Sequence, residues 1–579
     1  MPSSNTHRDR EILTKANGPV GKLAAFLRLS GPGWLQSAIT LGGGSLGGAL
    51  YLGVLGGSQM LWIQVLAILI GVVMLSSIAY VTLSTRVRPY QAINQYVNPV
   101  LGVGWITATI LANMIWIMPQ FSLCFDALSN NVLEGKVQDT TNMQILVSAI
   151  IAAVAMFAVV MSFRPGWMSK LFDLALKVIV GLIVCCFVWA IVYLTQQDEL
   201  DWNTIWRGFI PDFTQWNKPA PEIASLLGQL PEQWNEFWQT RIVDKQQQII
   251  IGSAATAVGI NMTFLLPYSM IARGWDKPFR GLARFDLITA MAIPFMVVTS
   301  CIVLASANSF HGKADANFIS DDVEMIQESG MFKGALDSLE ERYVAEFGED
   351  SMSQFAEPEK ELVDQAKARK AARKKHLAEF ASTLPLEERK LAATLVKPNT
   401  GQLAQSLEPV LGENARLIFG LGAFAMGFST IMILMMINGY AVAELLGHYS
   451  YASYRTLGAL LACAAGLCWI WIWPGESKTW LIIVASTFGA ILLPIAYFAF
   501  FMLMNSRRLL GDEKPTGIKM TIWNILMLIG VAGALAQAIA ATWIQTQKPN
   551  TGGIVIGAVI AFLALAIVGF SAKTAPSNE

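Results

Sequence analysis

Three runs of the chain, 61–83, 178–194 and 481–504, contain no charged residue, and each is long enough to cross the apolar core of a bilayer as a helix. A helix satisfies its own backbone hydrogen bonds, which hydrocarbon cannot do. The chain is 54% hydrophobic and 14% charged, whereas soluble domains are about one-quarter charged. The sequence therefore predicts an all-α polytopic membrane protein that has the lipid bilayer as a partner, and it argues against a soluble enzyme.

The hydropathy pattern predicts about twelve membrane spans. They are expected at 31–55, 58–84, 100–124, 143–162, 170–194, 249–272, 282–305, 412–437, 454–473, 477–504, 519–544 and 553–572. Basic and acidic residues number 41 each, so the chain has no positive excess that would hold nucleic acid.

Positive charge is distributed unevenly between the two sides of the predicted membrane. With the N-terminal segment inside, the inner segments hold nineteen lysines and arginines, and the short outer connections hold only Lys136, Lys478 and Lys548. Cytoplasmic loops of membrane proteins carry such an excess. We therefore expect a multi-pass protein of the plasma (cell inner) membrane with both termini in the cytoplasm.

The predicted spans also divide the chain into segments. We expect a cytoplasmic N-terminal segment at 1–30, spans 1–5 at 31–194, an outer loop at 195–248, spans 6–10 at 249–504 with an outer insert at 312–411, and spans 11 and 12 with a cytoplasmic tail at 505–579. The insert is rich in helix-forming residues of mixed charge, which favours a small helical cap outside the membrane.

Span 1 contains three consecutive glycines, Gly42, Gly43 and Gly44, followed by Ser45. Each glycine destabilises a helix by about 1 kcal/mol relative to alanine. Close helix packing through small residues is the alternative, but it is typical of glycines spaced four residues apart. We therefore predict an unwound segment at mid-membrane, where the backbone is covered by protein or lined by water.

Span 6 has a counterpart interruption around Pro267, which lacks a backbone donor and clashes with the preceding helical turn. Asn261, Thr263 and Ser269 lie close in the sequence and can satisfy the backbone groups that the proline frees. Interrupted spans at matching positions of two halves indicate a secondary transporter built from inverted repeats, with its binding site near the bilayer midplane. Spans 1–5 and 6–10 are the expected repeats.

Three short stretches carry a likeness to a known family. They are Gly31-Pro-Gly-Trp at the start of span 1, Leu266-Pro-Tyr in span 6, and the segment from Leu493-Pro494 to Gly511 that ends span 10. Over about residues 31–511 the chain resembles the Nramp (natural resistance-associated macrophage protein) family of divalent metal transporters. The resemblance implies a LeuT-like fold with 5+5 inverted repeats plus two extra helices, and transport by alternating access.

The positions that bind metal in this family are changed here. The family's first-span motif Asp-Pro-Gly-Asn falls on Gly42 to Ser45, so a glycine replaces the charged ligand. The span 6 methionine and histidine fall on Leu266 and Tyr268, and the span 3 acidic pair falls on Asn113 and Trp116. The resemblance therefore implies a divergent member that keeps the scaffold and lacks the usual metal-site residues.

A divalent ion at mid-membrane needs anionic or closely grouped oxygen ligands in place of its water. With none at the aligned positions, the expected substrate is magnesium-like rather than a soft transition metal, and no metal ligand is assigned. The predicted substrate site comprises Leu41, Gly42, Gly43, Gly44, Ser45, Asn261, Thr263, Phe264, Leu266, Pro267 and Tyr268. The predicted pathway or coupling residues are Asn113, Trp116, Gln120, Ser429 and Thr430.

Two other functions remain open at this point. A glycine-rich break exposes backbone N–H groups at the start of a half-helix, which favours an anion or a small carboxylate as the transported solute. A receptor that senses a solute is the second alternative. An enzyme is not expected, because the spans hold no histidine or paired carboxylates for acid–base chemistry. No cofactor is expected, and the coupling ion of a carrier would be sodium or a proton.

Overall fold

The computed structural model describes residues 4–133, 136–163, 167–355, 363–396, 398, 402, 415–473, 480–546 and 552–573, and all the regular structure in these ranges is helical. Each predicted span coincides with helix. The spans are 1a (Pro32–Thr40) and 1b (Gly43–Gly56), 2 (Leu61–Thr85), 3 (Pro99–Asp126), 4 (Thr141–Ser162), 5 (Trp167–Gln196), 6a (Glu232–Ala257) and 6b (Ile260–Ala272), 7 (Arg280–Asp286 continuing through Ile293–Phe310), 8 (Ala415–Leu445), 9 (Ala452–Leu467 and Trp469–Ile472), 10 (Trp480–Asn505), 11 (Ile518–Thr546) and 12 (Gly552–Lys573).

Ten helical stretches within the described residues are long and apolar enough to cross a membrane, and a shorter apolar helix lies at Ile556–Phe570. One of the ten, Gly43–Thr85, contains both span 1b and span 2. The ten stretches and the shorter helix therefore account for all twelve predicted spans.

Five spans meet in the middle of the bundle. Span 8 packs against spans 3, 5 and 9, and span 10 packs against spans 3, 6a and 11. Span 1b packs between spans 6a and 7, and span 1a contacts spans 6b and 8. Spans 1, 3, 6, 8 and 10 consequently surround a common centre, in which both interrupted spans take part.

A helical cap lies at one end of the bundle, which we call the cap face. Its helices are Trp202–Arg207, Pro221–Leu227, Val323–Glu328, Gly330–Phe347, Val363–Thr383 and Leu386–Thr394. The described part of the predicted insert at 312–411 is largely helical; residues 356–362, 397, 399–401 and 403–411 lie outside the described residues.

The predicted outer loop at 195–248 needs correction, because the helix of span 6a already begins at Glu232. The extension enters the cap, where Trp238 is fully buried and its Nε1 donates to Glu388 Oε2 over 2.9 Å. Arg342 binds the same carboxylate and lies over the ring of Trp234. Sequence composition marked 232–248 as polar loop, but its polar residues lie on a helix that docks against the cap.

The opposite end of the bundle, which we call the terminal face, carries the N-terminal helices Ser4–Lys15 and Gly18–Leu29. Arg10 of the first helix forms an ion pair with Asp276, which lies between spans 6 and 7. Arg86, at the end of span 2, pairs with the same carboxylate. The N-terminal segment is therefore tied to loops of this face.

Candidate functional site

The helix of span 1 stops after Thr40 and resumes at Gly43, which confirms the predicted interruption. Leu41 and Gly42 form the unwound link, and Gly42 is fully extended (φ −90°, ψ −180°). A Cβ atom at Gly42 would overlap Thr430 Oγ1 of span 8. Span 8 therefore approaches the unwound link so closely that only glycine fits there without movement.

Span 6 is also interrupted, but at Val258 and Gly259. Pro267 lies inside the helix of span 6b, so the predicted interruption around Pro267 is wrong in position. A Cβ at Gly259 would overlap the ring of Trp116, so the close approach of span 3 requires glycine at this break. Pro267 removes one donor from a continuous helix, which a packed membrane helix accommodates.

A cavity of about 30 Å³ lies between the two breaks. Its lining comes from spans 1, 3, 6, 8 and 10 and consists of Ile39, Gly44, Trp116, Pro119, Gln120, Thr256, Met262, Thr430, Ile482, Ala485 and Ser486. Because one water needs roughly 10–15 Å³ measured in this way, the cavity has room for about two waters. A fully hydrated ion or an amino-acid-sized solute would require it to widen.

No ionisable side chain lines this cavity. Among the described residues, no group of three or more His, Cys, Asp or Glu is placed to hold a metal ion. The helices of spans 1a and 6a end at the cavity, and those of spans 1b and 6b begin there, so partial charges of both signs meet at it. The last carbonyls of span 1a accept hydrogen bonds within the protein, from the amides of Leu41 and Gly42 and the hydroxyls of Ser45, Ser429 and Thr430.

Gln120 of span 3 occupies the start of span 1b. Its Oε1 accepts a 3.0 Å hydrogen bond from the Gly43 amide. The amides of Ser45 and Leu46 donate to Gly42 O over 3.0 and 3.2 Å. Of the N–H groups in the first turn of this half-helix, those of Gly43 and Ser45 are thus already bonded within the protein.

Met262 of span 6b brings the only thioether of the cavity lining, three residues after the Gly259 break. The Thr40 hydroxyl lies 3.5 Å from its sulfur, and Gln36 Nε2 lies 3.4 Å from its carbonyl oxygen. Met262 was not among the predicted site residues, because the break in span 6 was predicted too late in the sequence. Its short distance from Gly259 was the signal that could have identified it.

Thr256 of span 6a and Ser486 of span 10 also line the cavity and were not predicted. Thr256 Oγ1 bonds to Ser253 O within its own helix over 2.7 Å. Both hydroxyls lie in apolar stretches of sequence, so nothing in the residue pattern distinguishes them from hydroxyls that serve helix packing.

Trp116 forms one wall of the cavity and joins three spans. Its Nε1 donates to Ala485 O of span 10 over 2.8 Å. Its ring packs against Gly259 of span 6 and Gly489 of span 10, where a Cβ would overlap it. The predicted pathway residue therefore lies at the site, as an apolar wall with its polar atom already bonded.

Ser429 and Thr430 lie together beside span 1a. Their hydroxyls are 3.1 and 3.4 Å from Ala38 O, and both also reach Met426 O in span 8. Thr430 lines the cavity. The Ser429 and Thr430 hydroxyls and Ala38 O therefore group three oxygens next to the unwound link.

The comparisons with known proteins agree with this architecture. The family model described as natural resistance-associated macrophage protein-like (Nramp) matches residues 33–329 and 380–543, which is most of the chain. The chain belongs to the Nramp family. No curated protein matches it in a search by sequence.

Solved structures of an Nramp manganese transporter from Eremococcus coleocola share the fold. A histidine-to-alanine mutant is 15% identical, with 96% of this chain and 98% of that chain covered and a TM-score of 0.61. A complex with an aromatic bis-isothiourea compound is 16% identical, with 96% of each chain covered and a TM-score of 0.61. This protein is thus an Nramp transporter with the LeuT-like fold of 5+5 inverted repeats plus two extra helices.

Several predicted substrate residues of this Nramp protein lie on span 6b away from the cavity lining. Thr263 Oγ1 accepts a 3.0 Å hydrogen bond from Trp105 Nε1. Phe264 stacks on Tyr268, with ring centroids 4.1 Å apart. Leu266 and Pro267 are buried in the same helix. These residues were predicted because the break was expected around Pro267, whereas the half-helix begins seven residues earlier, at Ile260.

Three other predicted residues are buried outside the cavity lining, two of them beside the breaks. The Ser45 hydroxyl donates to Thr40 O and so bridges the two halves of span 1. Asn261 Oδ1 accepts from the Met262 amide, and its Nδ2 has no hydrogen-bond partner in the described structure. Asn113 is fully buried with neither amide atom partnered among the described residues. These side chains offer polar atoms near the breaks, outside the lining itself.

The ends of spans 1a and 1b that lie away from the cavity are fixed by polar contacts. At the terminal face, the Asp286 carboxylate accepts from the Ser30 hydroxyl and from the Gly31 and Gly33 amides, which fixes the start of span 1a. At the cap face, the Tyr51 hydroxyl donates to Pro398 O of the cap over 3.2 Å. These contacts hold spans 1a and 1b at their far ends.

His311 strengthens the cap-face contact. Its Nδ1 lies 3.0 Å from Val54 O at the end of span 1b, and its Nε2 lies 3.4 Å from Glu222 Oε2 in the cap. The hydrogen bond with His311 lowers the pKa of the Glu222 carboxyl below its ordinary value. Span 7, span 1b and the cap therefore meet at one side chain.

Proposed function

We propose that this Nramp transporter carries a divalent metal cation that sheds part of its water shell in the cavity between the two breaks. The observation that supports this most directly is that the carbonyl ends of spans 1a and 6a meet at one small, uncharged cavity. The similar solved structures are of a manganese transporter. Neutral ligands replace bound water poorly, so binding is weak and the ion keeps the waters that fit.

The metal preference follows from the donor atoms. The side-chain oxygens of Gln120, Thr256 and Thr430 suit hard cations such as magnesium, whereas the single thioether of Met262 suits soft ones. Because oxygen donors predominate and no thiolate or imidazole is present in the lining, we favour a magnesium-like substrate. Met262 adds one soft donor, so manganese or cadmium can also bind at the same site.

An anion or small carboxylate fits the cavity less well. Such a ligand would need free N–H groups at the start of span 1b, and the amides of Gly43, Ser45 and Leu46 are already bonded.

For the coupling ion we propose sodium. The cavity lining holds no carboxylate or histidine that would carry a proton, whereas Ser429, Thr430 and Ala38 O group oxygens beside span 1a. Ser429→Ala is expected to reduce sodium-driven uptake and leave equilibrium binding of the divalent ion unchanged. Uptake driven equally well by a proton gradient alone would contradict the assignment.

We further propose a plasma-membrane location with the terminal face in the cytoplasm. The excess of lysine and arginine on the predicted inner segments supports this orientation. Labelling of cysteines introduced at Ser225 on the cap and at Arg508 on the terminal face, in intact cells with a membrane-impermeant maleimide, tests it. Only the cap position is expected to react.

Uptake into proteoliposomes tests the proposed substrate. We expect magnesium, manganese and cadmium to enter, and Met262→Leu to lower cadmium uptake several-fold while magnesium uptake stays near that of the unmodified protein. Met74→Leu is the matched control, because Met74 is equally buried but packs against span 11. A proportional loss for all three metals would remove Met262 from the site. Binding of a divalent ion without any uptake would indicate a receptor instead.

A further inference from the structure

A groove of about 510 Å³ opens at the terminal face, far from the transport cavity. It lies among the end of span 2, the start of span 7, the connection between spans 10 and 11 and the first turns of span 11. Its lining consists of Tyr80, Arg284, Asp512, Glu513, Lys514, Pro515, Thr516, Lys519, Ile522 and Trp523.

The charge of this groove is positive on balance. Arg284, Lys514 and Lys519 face two acidic residues. Of these, Glu513 is already bound by Lys277 and Arg280. Counting those two cations, the groove and its rim carry an excess of three positive charges.

Two of the cations are available to a ligand. Arg284 and Lys519 are exposed, and neither has an ion pair or side-chain hydrogen bond within the described structure. An arginine presents a planar fork that binds phosphate oxygens through two hydrogen bonds, and a lysine adds a point charge. The pair is therefore suited to a phosphate group.

The groove continues onto a lipid-facing surface. Ile518, Ile522, Ile525 and Ile529 follow one another along one stripe of span 11 and are each at least half exposed. Trp523 and Tyr80 lie at its head, with ring centroids 6.4 Å apart, in the position at which aromatic residues meet the membrane interface. A soluble phosphate compound would leave this apolar stripe unused.

We infer that this groove binds the headgroup of an anionic phospholipid, with Arg284 and Lys519 on the phosphate and the acyl chains along the isoleucine stripe of span 11. Basic pockets between membrane helices bind anionic headgroups in this way. The groove lies among spans 2, 7 and 11. A bound lipid would therefore stabilise the contact between the second repeat (spans 6–10) and the two extra helices (spans 11 and 12).

Native mass spectrometry and thermal unfolding of the purified full chain test this inference. The probes are dioleoyl phosphatidylglycerol, dioleoyl phosphatidylcholine and inorganic phosphate. We expect phosphatidylglycerol to bind and to raise the melting temperature, and the other two to do neither. In Arg284→Gln/Lys519→Gln, retention of phosphatidylglycerol is expected to fall about tenfold.

The matched control is Arg507→Gln/Arg508→Gln, which removes two exposed charges from the same face outside the groove. It is expected to bind phosphatidylglycerol like the unmodified protein. Equal loss in both double variants, or no loss in the groove variant, would overturn the inference. Equal stabilisation by inorganic phosphate would overturn the assignment to lipid.

Discussion

The amide of Gly43 donates to Oε1 of Gln120 over 3.0 Å, so a side chain of span 3 holds the start of span 1b. This contact joins two spans at the point where the helix of span 1 resumes. It also blocks one of the N–H groups that an anion would need. The side-chain amide of Gln120 thereby shapes the site and removes one contact that an anion could have made.

Gln120→Met tests the structural part of this role. The change keeps the length of the side chain but leaves the buried Gly43 amide without its acceptor, and we expect a loss of about 1–3 kcal/mol in stability. The melting temperature in detergent measures it. Gln120→Glu keeps an acceptor and adds a charge at the cavity, so it should bind manganese more tightly than the unmodified protein in isothermal titration. Weaker binding by the glutamate variant would count against a cation site.

A carboxylate added at the start of span 1b, compared with one in the unwound link, gives a second test. At Gly44 a new Cβ would meet the Thr256 side chain, with Cγ2 at 3.3 Å and Cβ at 3.5 Å, whereas at Gly42 it would overlap Thr430 Oγ1. Gly44→Asp is therefore expected to tighten manganese binding with little loss of stability. Gly42→Asp should destabilise the protein unless it is combined with Thr430→Ala. Calorimetric titration and thermal unfolding of the three variants distinguish these outcomes, and equal stability of the two single variants would contradict the close approach of span 8 to the link.

Asp286→Asn tests how the start of span 1a is fixed. The carboxylate accepts three hydrogen bonds, from the Ser30 hydroxyl and the Gly31 and Gly33 amides. An amide group offers only one oxygen for these donors, so exchange of the 31–33 backbone amides should accelerate in hydrogen–deuterium exchange. Asp173→Asn is the control, because Asp173 pairs with Arg273 on the same face and does not cap span 1a. Unchanged exchange in Asp286→Asn would mean that packing alone fixes this helix start.

The pH dependence of stability has a defined sign at Glu513. The hydrogen bond with Lys277, which has the larger effect, and the one with Arg280 lower the pKa of this carboxyl below its ordinary value of 4.5. Its contribution to stability is therefore complete above pH 4.5 and is lost as the pH falls through the lowered pKa. We expect Glu513→Gln to melt slightly below the unmodified protein at pH 7, with the difference vanishing at lower pH. Asp512→Asn should give no such difference, and a gap that widens in acid would reverse the assignment.

The sequence was sufficient to predict the twelve spans and the break in span 1. Charge-free runs leave few alternatives to membrane helices, and the run of glycines at 42–44 combines low helix propensity with the close approach of Thr430. Trp116, Gln120 and Thr430 were predicted and line the cavity.

The break in span 6 was not located because its local signal is weak. A lone glycine, Gly259, marks it, and the reason for that glycine is the ring of Trp116, which is distant in sequence. Pro267 gave a stronger local signal for a break, but packing keeps the helix continuous at that position. Met262 and Thr256 were missed for the same reason, because their roles depend on where the helix stops.

The continuous helix of span 6a has a consequence for how the protein can be controlled. From Trp238, whose Nε1 donates to Glu388 in the cap, to Ala257 beside the cavity, the helix runs 20 residues, or about 30 Å. Because a helix of that length is rigid, a small tilt at the cap displaces the end that lies beside the cavity. An antibody fragment that binds the cap should therefore inhibit ion transport without entering the membrane.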